Sequence, residues 1–240
     1  MGELFHSAIY QPLYNILVFL YNIVPGKDFG ISIILITIFL RTILIPLYKK
    51  QIESQKKLQE LQPKIKALQE KTKGDKEKQT KELMELYKEH KTNPFSGCLP
   101  LIVQLIFLIA IYRILINISD AGLIVDTKQL YSFVKDPGKI SQLFIGIVDL
   151  TKPSIVIAAA AAIAQFFQTK MLMQQQPKTE DSGSDQLDMA QMMSKQMLYL
   201  GPFLTLFIGI KFAAGLSLYW LTSTLFMLIQ QILLEKKSKI

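Results

Sequence analysis

The stretch ITIFLRTILIPLYKK, residues 36–50, sets an arginine inside a run otherwise built for hydrocarbon. The apolar residues extend back to Phe29 and end at Lys49 and Lys50. A segment of about 18 or more apolar residues is long enough to cross a hydrocarbon layer about 30 Å thick at the helical rise of about 1.5 Å per residue. Residues 29–48 therefore read as a first membrane span. Arg41 stands eight residues before Lys49, which puts its backbone about 12 Å into the layer from the lysine side. Insertion scales charge about 2.5–3.5 kcal/mol for a cation at that depth. An acidic partner within the membrane would offset the cost, so the remaining spans decide how Arg41 is accommodated.

Working outward, the same pattern recurs. Half of the 240 residues are hydrophobic, and mean hydropathy is +0.28. That is too apolar for an ordinary soluble domain of this size. Further spans read at 96–116, at 154–172, which is rich in alanine, and at 197–212 and 215–234. The last two are divided by Lys211 and the AAG of residues 213–215. The expected class is an all-α polytopic membrane protein with a five-helix transmembrane core. None of these five segments holds an Asp, Glu or His. Arg41 has no opposite charge from its own chain within them. Thr37, one turn away, is one candidate to solvate it. Others are Gln104, Gln165, Gln168, Ser217, Thr222 and Ser223. Turned inward, these groups would line a wet cavity open to the lysine side. An unpaired cation there suits a visiting anion: a small solute, or an acidic residue of another polypeptide. The plainer alternative is that Arg41 snorkels or bonds backbone carbonyls to fix packing. An isolated Gln or Thr is more often an ordinary interhelical hydrogen bond.

The polar segments set the orientation. Residues 49–92 form a lysine-rich block, in which 49–91 carry thirteen lysines against eight acids. Leu58, Leu61, Ile65 and Leu68 repeat at three and four. Leu83, Leu86 and Tyr87 give a matching face, with KGD at 73–75 as the turn. The spacing predicts an antiparallel helical hairpin, kinked at Pro63 and closed by TNPFSG before the second span. The loop 117–153 balances four aspartates with four lysines. The lysine bias places the hairpin in the cytoplasm and the loop outside. Five spans then put the amino terminus outside and the tail 235–240, EKKSKI, inside. Residues 1–24 repeat apolar positions at three and four, with Tyr10, Tyr14 and Tyr21 suited to an interface. They read as an amphipathic helix lying on the membrane rather than a further span or an uncleaved signal. Residues 173–196, rich in Gln and Met, read as a polar cytoplasmic loop.

Several functions lack the residues they need. The single cysteine, Cys98, cannot form an internal disulfide and offers no metal site. No glycine loop for nucleotide phosphates, no HExxH and no membrane histidine beside a serine or cysteine is present. The chain does not read as an enzyme, and no cofactor is expected. A net charge of +8 suits anionic lipid and topology rather than sequence-specific nucleic acid, with ribosomal RNA a partner of the same charge.

Four stretches together carry a resemblance: FGISIILITIFLRTILIPLYKKQ, LQPKIKALQEK, LYKEHKTNPFSGCLPLIVQLIFLIAIYRIL and GLSLYWLTSTLFMLIQQILL. In this order and spacing the chain resembles the YidC/Oxa/Alb family of membrane protein insertases over about residues 10 to 235. The resemblance implies a five-helix core, a cytoplasmic hairpin and a surface-lying amino-terminal helix in the bacterial cell membrane. It implies that Arg41 is the cation of a hydrophilic groove, with Thr37 and Gln104 lining it. Gln165 is the matching groove residue of the third core helix, although Gln168 or Thr169 also fits the spacing. Trp220 matches an aromatic position that meets substrate helices, with Tyr219 beside it; without the resemblance, lipid or core packing is the simpler role. Nascent membrane proteins and the lipid bilayer are the implied partners. The ribosome, the signal recognition pathway and the Sec translocon are further ones. Relative to the family the chain shows no extra amino-terminal span, no large extracytoplasmic domain and only a short tail, which weakens tail-mediated ribosome docking. The competing reading from the residues alone is a small-anion transporter or channel. It lacks an obvious inverted repeat and intramembrane acids for proton coupling.

Overall fold

A computed structural model describes residues 2–90, 92–93, 99–174 and 185–238. The chain opens with a short helix, α1 (Glu3–Phe5), and a π-helical turn (His6–Tyr10) that run into α2 (Gln11–Ile23). Gly26, at a φ of 75°, turns the chain after α2, in the left-handed region that glycine tolerates best. Then come α3 (Phe29–Ile43), α4 (Ile45–Lys71), α5 (Lys76–Glu89) and α6 (Leu99–Asp120). A small antiparallel hairpin, β1 (Leu143–Phe144) and β2 (Val148–Asp149), interrupts an otherwise helical chain. The molecule finishes with α7 (Ile155–Gln174), α8 (Asp185–Gly209) and α9 (Ala214–Ser238).

Three stretches are long and apolar enough to cross a membrane: Ile102–Asp120, Ile155–Leu172 and Ala214–Leu234. A fourth results if the pair Phe29–Ile43 and Ile45–Ser54 counts as one span, although its halves meet at 56°. Leu198–Gly209 is a shorter apolar helix. The molecule is thus a largely helical membrane protein.

The bend between α3 and α4 has a local cause. Pro46 stands in the first turn of α4. It has no N–H to give the Thr42 carbonyl, and its ring crowds that carbonyl. The expected continuous helix over 29–48 is therefore broken at Leu44. Pro63, where the sequence predicts a kink, lies inside α4, which is helical from Ile45 to Lys71. A second difference lies at the expected loop 173–196. There α7 reaches Gln174 and α8 already begins at Asp185. Gln, Met, Leu, Ala and Lys are good helix formers, so polarity alone misread DQLDMAQMMSKQ as a loop. Residues 175–184, like the TNPFSG closure from Pro94 onward and Cys98, lie outside the described residues.

α5 packs back along α4. Lys64 Nζ meets His90 Nε2 at 2.9 Å, and Gln79 Nε2 donates to the Gln69 carbonyl at 3.4 Å. Those pairings run in opposite sequence directions, which makes the helices antiparallel. Asp75 caps α5 by accepting from Lys78 N.

One apolar core joins α2, α3, α6, the start of α9 and the loop between α6 and α7. Leu17, Val18, Ile33, Ile36, Ile111 and Ile114 are completely buried in it. Gly215 sits where three helices meet. A Cβ there would lie 3.1 Å from Leu115 and 3.4 Å from Ile33. The π-helical turn and α2 do not expose their tyrosines. Tyr10, Tyr14 and Tyr21 are buried, and their hydroxyls accept hydrogen bonds from Asn117 Nδ2, Asp126 N and Ser141 N.

Candidate functional site

Arg41 lies in the last turn of α3, half-buried between α6 and α9. Its Nε donates to Ser223 Oγ at 2.8 Å, and Nη2 donates to both Ser223 Oγ and Gln104 Oε1. Ser223 Oγ in turn donates to Gln104 Oε1 at 3.2 Å. The buried Tyr219 is one turn before Ser223, and its hydroxyl reaches Ser223 and Gln104. Three helices thus meet at one cation. Among the described residues the only ion pair joins Lys152 to Asp149, at 3.3 Å. The described partners of Arg41 are therefore all neutral dipoles. Gln104 Nε2 is buried with no hydrogen-bond partner, so the cluster keeps an unused donor beside the guanidinium.

A second polar cluster sits across α9. Gln165 Oε1 accepts from Trp220 Nε1 at 3.0 Å and from Thr205 Oγ1. These bonds tie α7, α8 and α9 together. The helices come close because their facing residues are small. A Cβ on Gly209 would meet Ala158 Cβ at 2.6 Å, and one on Gly201 would meet Gln165 Nε2 at 3.1 Å. Beside this cluster Ala162, Ile163, Phe166, Phe167, Pro202, Phe203 and Leu206 line an open apolar groove of about 420 Å³.

The structure divides the residues that the sequence grouped together. Arg41, Gln104 and Tyr219 share the first cluster; Gln165 and Trp220 share the second. Consecutive residues on a helix point about 100° apart, so Tyr219 and Trp220 face different neighbours. Thr37 joins neither cluster. It is fully buried, and its hydroxyl donates to the Ile33 carbonyl at 2.6 Å. Gln168 lies near Tyr48. Ser223 and Thr205 complete the two clusters. Ser223 follows Tyr219 by four residues, the helical spacing that puts two side chains on one face. Thr205 carries no such signal, because its role depends on how α7 and α8 pair.

Among the described residues, no group of three or more His, Cys, Asp and Glu side chains could hold a metal ion. The fold and the two clusters define a helical membrane protein that keeps a cation in its apolar part on neutral hydrogen-bond acceptors. The chain belongs to the 60Kd inner membrane protein family, whose profile matches residues 19–240. It is 36% identical over 234 residues to the membrane protein insertase YidC of Fusobacterium nucleatum, covering 96% of this chain and 98% of that one. It is 34% identical over 215 residues to YidC 1 of Lactococcus lactis, covering 88% of this chain and 70% of that protein. With the YidC of Streptomyces avermitilis the figure is 32% over 222 residues, 86% of this chain but 51% of the relative.

Proposed function

We propose that this chain is a membrane protein insertase that moves hydrophobic segments of nascent proteins from the cytoplasm into the bilayer. The observation that carries this reading is Arg41, a cation in an apolar setting whose described partners are all neutral, in a chain whose relatives are insertases. In this reading α3, α6, α7, α8 and α9 form a five-helix core with a hydrophilic groove open to cytoplasm and lipid. α4 and α5 form the cytoplasmic hairpin, and α2 lies at the outer surface. The amino terminus is outside and the carboxyl terminus inside, as the lysine bias favours.

Arg41 draws an acidic or polar flank of the client toward the groove. Hydrogen bonds to an ionised acceptor are roughly twice as strong as neutral ones. A client carboxylate therefore displaces Gln104 Oε1 and Ser223 Oγ from the guanidinium, and the freed pair bonds to itself. The unused Gln104 Nε2–H supplies one more donor. The apolar segment leaves over the exposed faces of α7 and α8, past Trp220 and the groove lined by Phe166, Phe167 and Phe203. Each apolar side chain that reaches hydrocarbon contributes about 1.5–3 kcal/mol, enough in sum to drive insertion without a nucleotide. The basic α4–α5 pair is the surface on which ribosome, signal recognition pathway or Sec translocon would be met.

The test is reconstitution of the purified chain in liposomes with one small client that carries an acidic tail. Protease protection of the client should rise with the protein present. Anion flux across the same liposomes without client insertion would favour a small-anion transporter and sink the insertase reading.

A further inference from the structure

The loop between α6 and α7 carries charge at short intervals, from Asp126 and Lys128 to Lys135, Asp136 and Lys139, and then none until Asp149. The charge-free stretch QLFIGIV, residues 142–148, holds the tip of the β1–β2 hairpin. That tip is a tight turn, in which Ile147 N donates to the Phe144 carbonyl at 3.0 Å. The two residues between them, Ile145 and Gly146, have φ of 53° and 72°. A hairpin turn with both central residues at positive φ ordinarily takes Asn-Gly or Asp-Gly. For a β-branched side chain that backbone is sterically unfavourable. Core packing does not offset the strain, because Ile145 is 63% exposed and Ile147 beyond it 81% exposed. A strained residue that serves neither the turn nor the core points to a partner outside the fold.

The height of the tip says what that partner is. Asp28 Oδ2 accepts from Ile145 N at 2.5 Å, while its Oδ1 accepts from Ile31 N at 3.0 Å and caps α3. The tip is thus tied level with the first residues of α3, where the apolar run of that helix begins. The Phe144 ring reaches one residue further along: a Cβ on Gly30 would collide with it. In the row of α3 that Gly30 starts, the next residues at a spacing of four are Ile34, half-buried, and Ile38, exposed. Past β2 the chain enters α7 through Ile155 and Val156, both largely exposed, at the start of a helix long enough to span a membrane. Bare aliphatic groups therefore stand at the tip, along α3 below it and at the head of the span that follows it. Lys27, exposed beside Asp28, is the kind of residue that anchors a chain at the headgroups.

We propose that the turn Ile145–Ile147 is a lipid anchor. It dips its two isoleucines into the leaflet on the loop side, about 5–10 Å into the boundary between headgroups and acyl chains. Through Asp28 it holds the start of α3, and with it the helix that carries Arg41, at a fixed depth. The proposal needs the spans to lie in a membrane but not the insertase reading.

The test places the full chain, with Cys98→Ser, in lipid nanodiscs, where both faces meet the buffer. A polarity-sensitive fluorophore is attached at Ile147→Cys, and at Lys128→Cys in the charged part of the loop as the water-facing control. Nitroxide carried by the lipids, either near the headgroup or at the end of an acyl chain, reports depth, and iodide reports water. At position 147 the shallow nitroxide should quench more than the deep one, and iodide should quench several-fold less than at position 128. The label already replaces Ile147, so Ile145→Asn removes the remaining isoleucine of the turn while suiting its left-handed backbone. Iodide quenching at 147 should then rise toward the control. Equal iodide quenching at 147 and 128 without that change overturns the anchor. Protection from both nitroxide and iodide overturns it too, since a second copy of the chain would then cover the tip. A depth unchanged by Ile145→Asn does the same, because the fluorophore alone would be entering the lipid. No client is present in any arm. A water-facing tip therefore sinks the anchor alone, and a native chain that fails to insert proteins sinks the insertase reading alone.

Discussion

The guanidinium of Arg41 gives its Nε and Nη2 hydrogens to Ser223 and Gln104, and neither acceptor carries charge. Arg41→Ala therefore orphans no ion, and Ser223 already donates to Gln104 without help. The fold should tolerate the change within about 1 kcal/mol, seen as a small shift in the thermal midpoint in detergent. Insertion of acidic-flanked clients should fall about tenfold, the worth of one charge-assisted hydrogen bond. Arg41→Lys keeps the charge but not the fork, and should retain part of the activity. Equal insertion by the native and Arg41→Ala chains across several acidic clients would remove the charge from the mechanism. Gln165 predicts the opposite pattern. Gln165→Leu leaves Trp220 Nε1–H and the Thr205 hydroxyl without their acceptor. An orphaned buried donor costs about 1–3 kcal/mol, so the thermal midpoint should drop clearly. An unchanged midpoint would show that the second cluster is not a structural tie.

Among the elements, α2 and the loop between α6 and α7 make a titratable contact. Burial pushes the Tyr14 phenol up from its ordinary range to about 12, against a weaker downward pull from the hydrogen bond that Asp126 N donates to it. The folded value lies above the unfolded one of about 10, so the contact is complete below about pH 10 and weakens as pH rises toward 12. The protection of the Asp126 amide, its exchange rate divided into the base-catalysed rate of a free amide at the same pH, should fall across that window and not at lower pH; Tyr14→Phe should be weakly protected throughout. Protection in the native chain that is constant from neutral to strongly alkaline pH would contradict the assignment. Periodicity in the sequence carried the apolar face of α2, but not the tyrosine hydroxyls, whose partners are loop backbone groups more than a hundred residues away. Arg41 was legible because a cation in an apolar run needs no context to stand out. Ser223 stood among several candidate partners with nothing to single it out, and Thr205 was not legible at all, because a hydroxyl gains meaning only once the helix opposite it is known. The bend at Leu44 was written in Pro46 and passed over for Pro63, which sits inside a helix that stays whole around it.

For the whole molecule, the two clusters and the buried Thr37 make an access map that the sequence alone could not draw. Helical spacing put Thr37 and Arg41 on one face, where water reaching one would reach the other. The structure separates them: Thr37 is fully buried and Arg41 only half-buried. In the proposed orientation the groove is wet from the cytoplasm up to Arg41 and dry beyond it. Single cysteines in a chain with Cys98→Ser test this map. A cysteine at Gln104 should react with an impermeant reagent from the lysine-rich side. One at Thr37 should react from neither side, and one at Ile163, exposed on the apolar face of α7, should resist a water-borne reagent from both. A stalled client with a photoreactive group in its apolar segment should cross-link to Ile163 and Phe203, which face the proposed exit, and to Ile111 not at all. Reaction of the Gln104 site only from the loop side would invert the groove. Equal reaction at positions 37 and 104 would show that the groove is wet beyond Arg41, and would leave Arg41 in a channel rather than in a groove closed at its outer end.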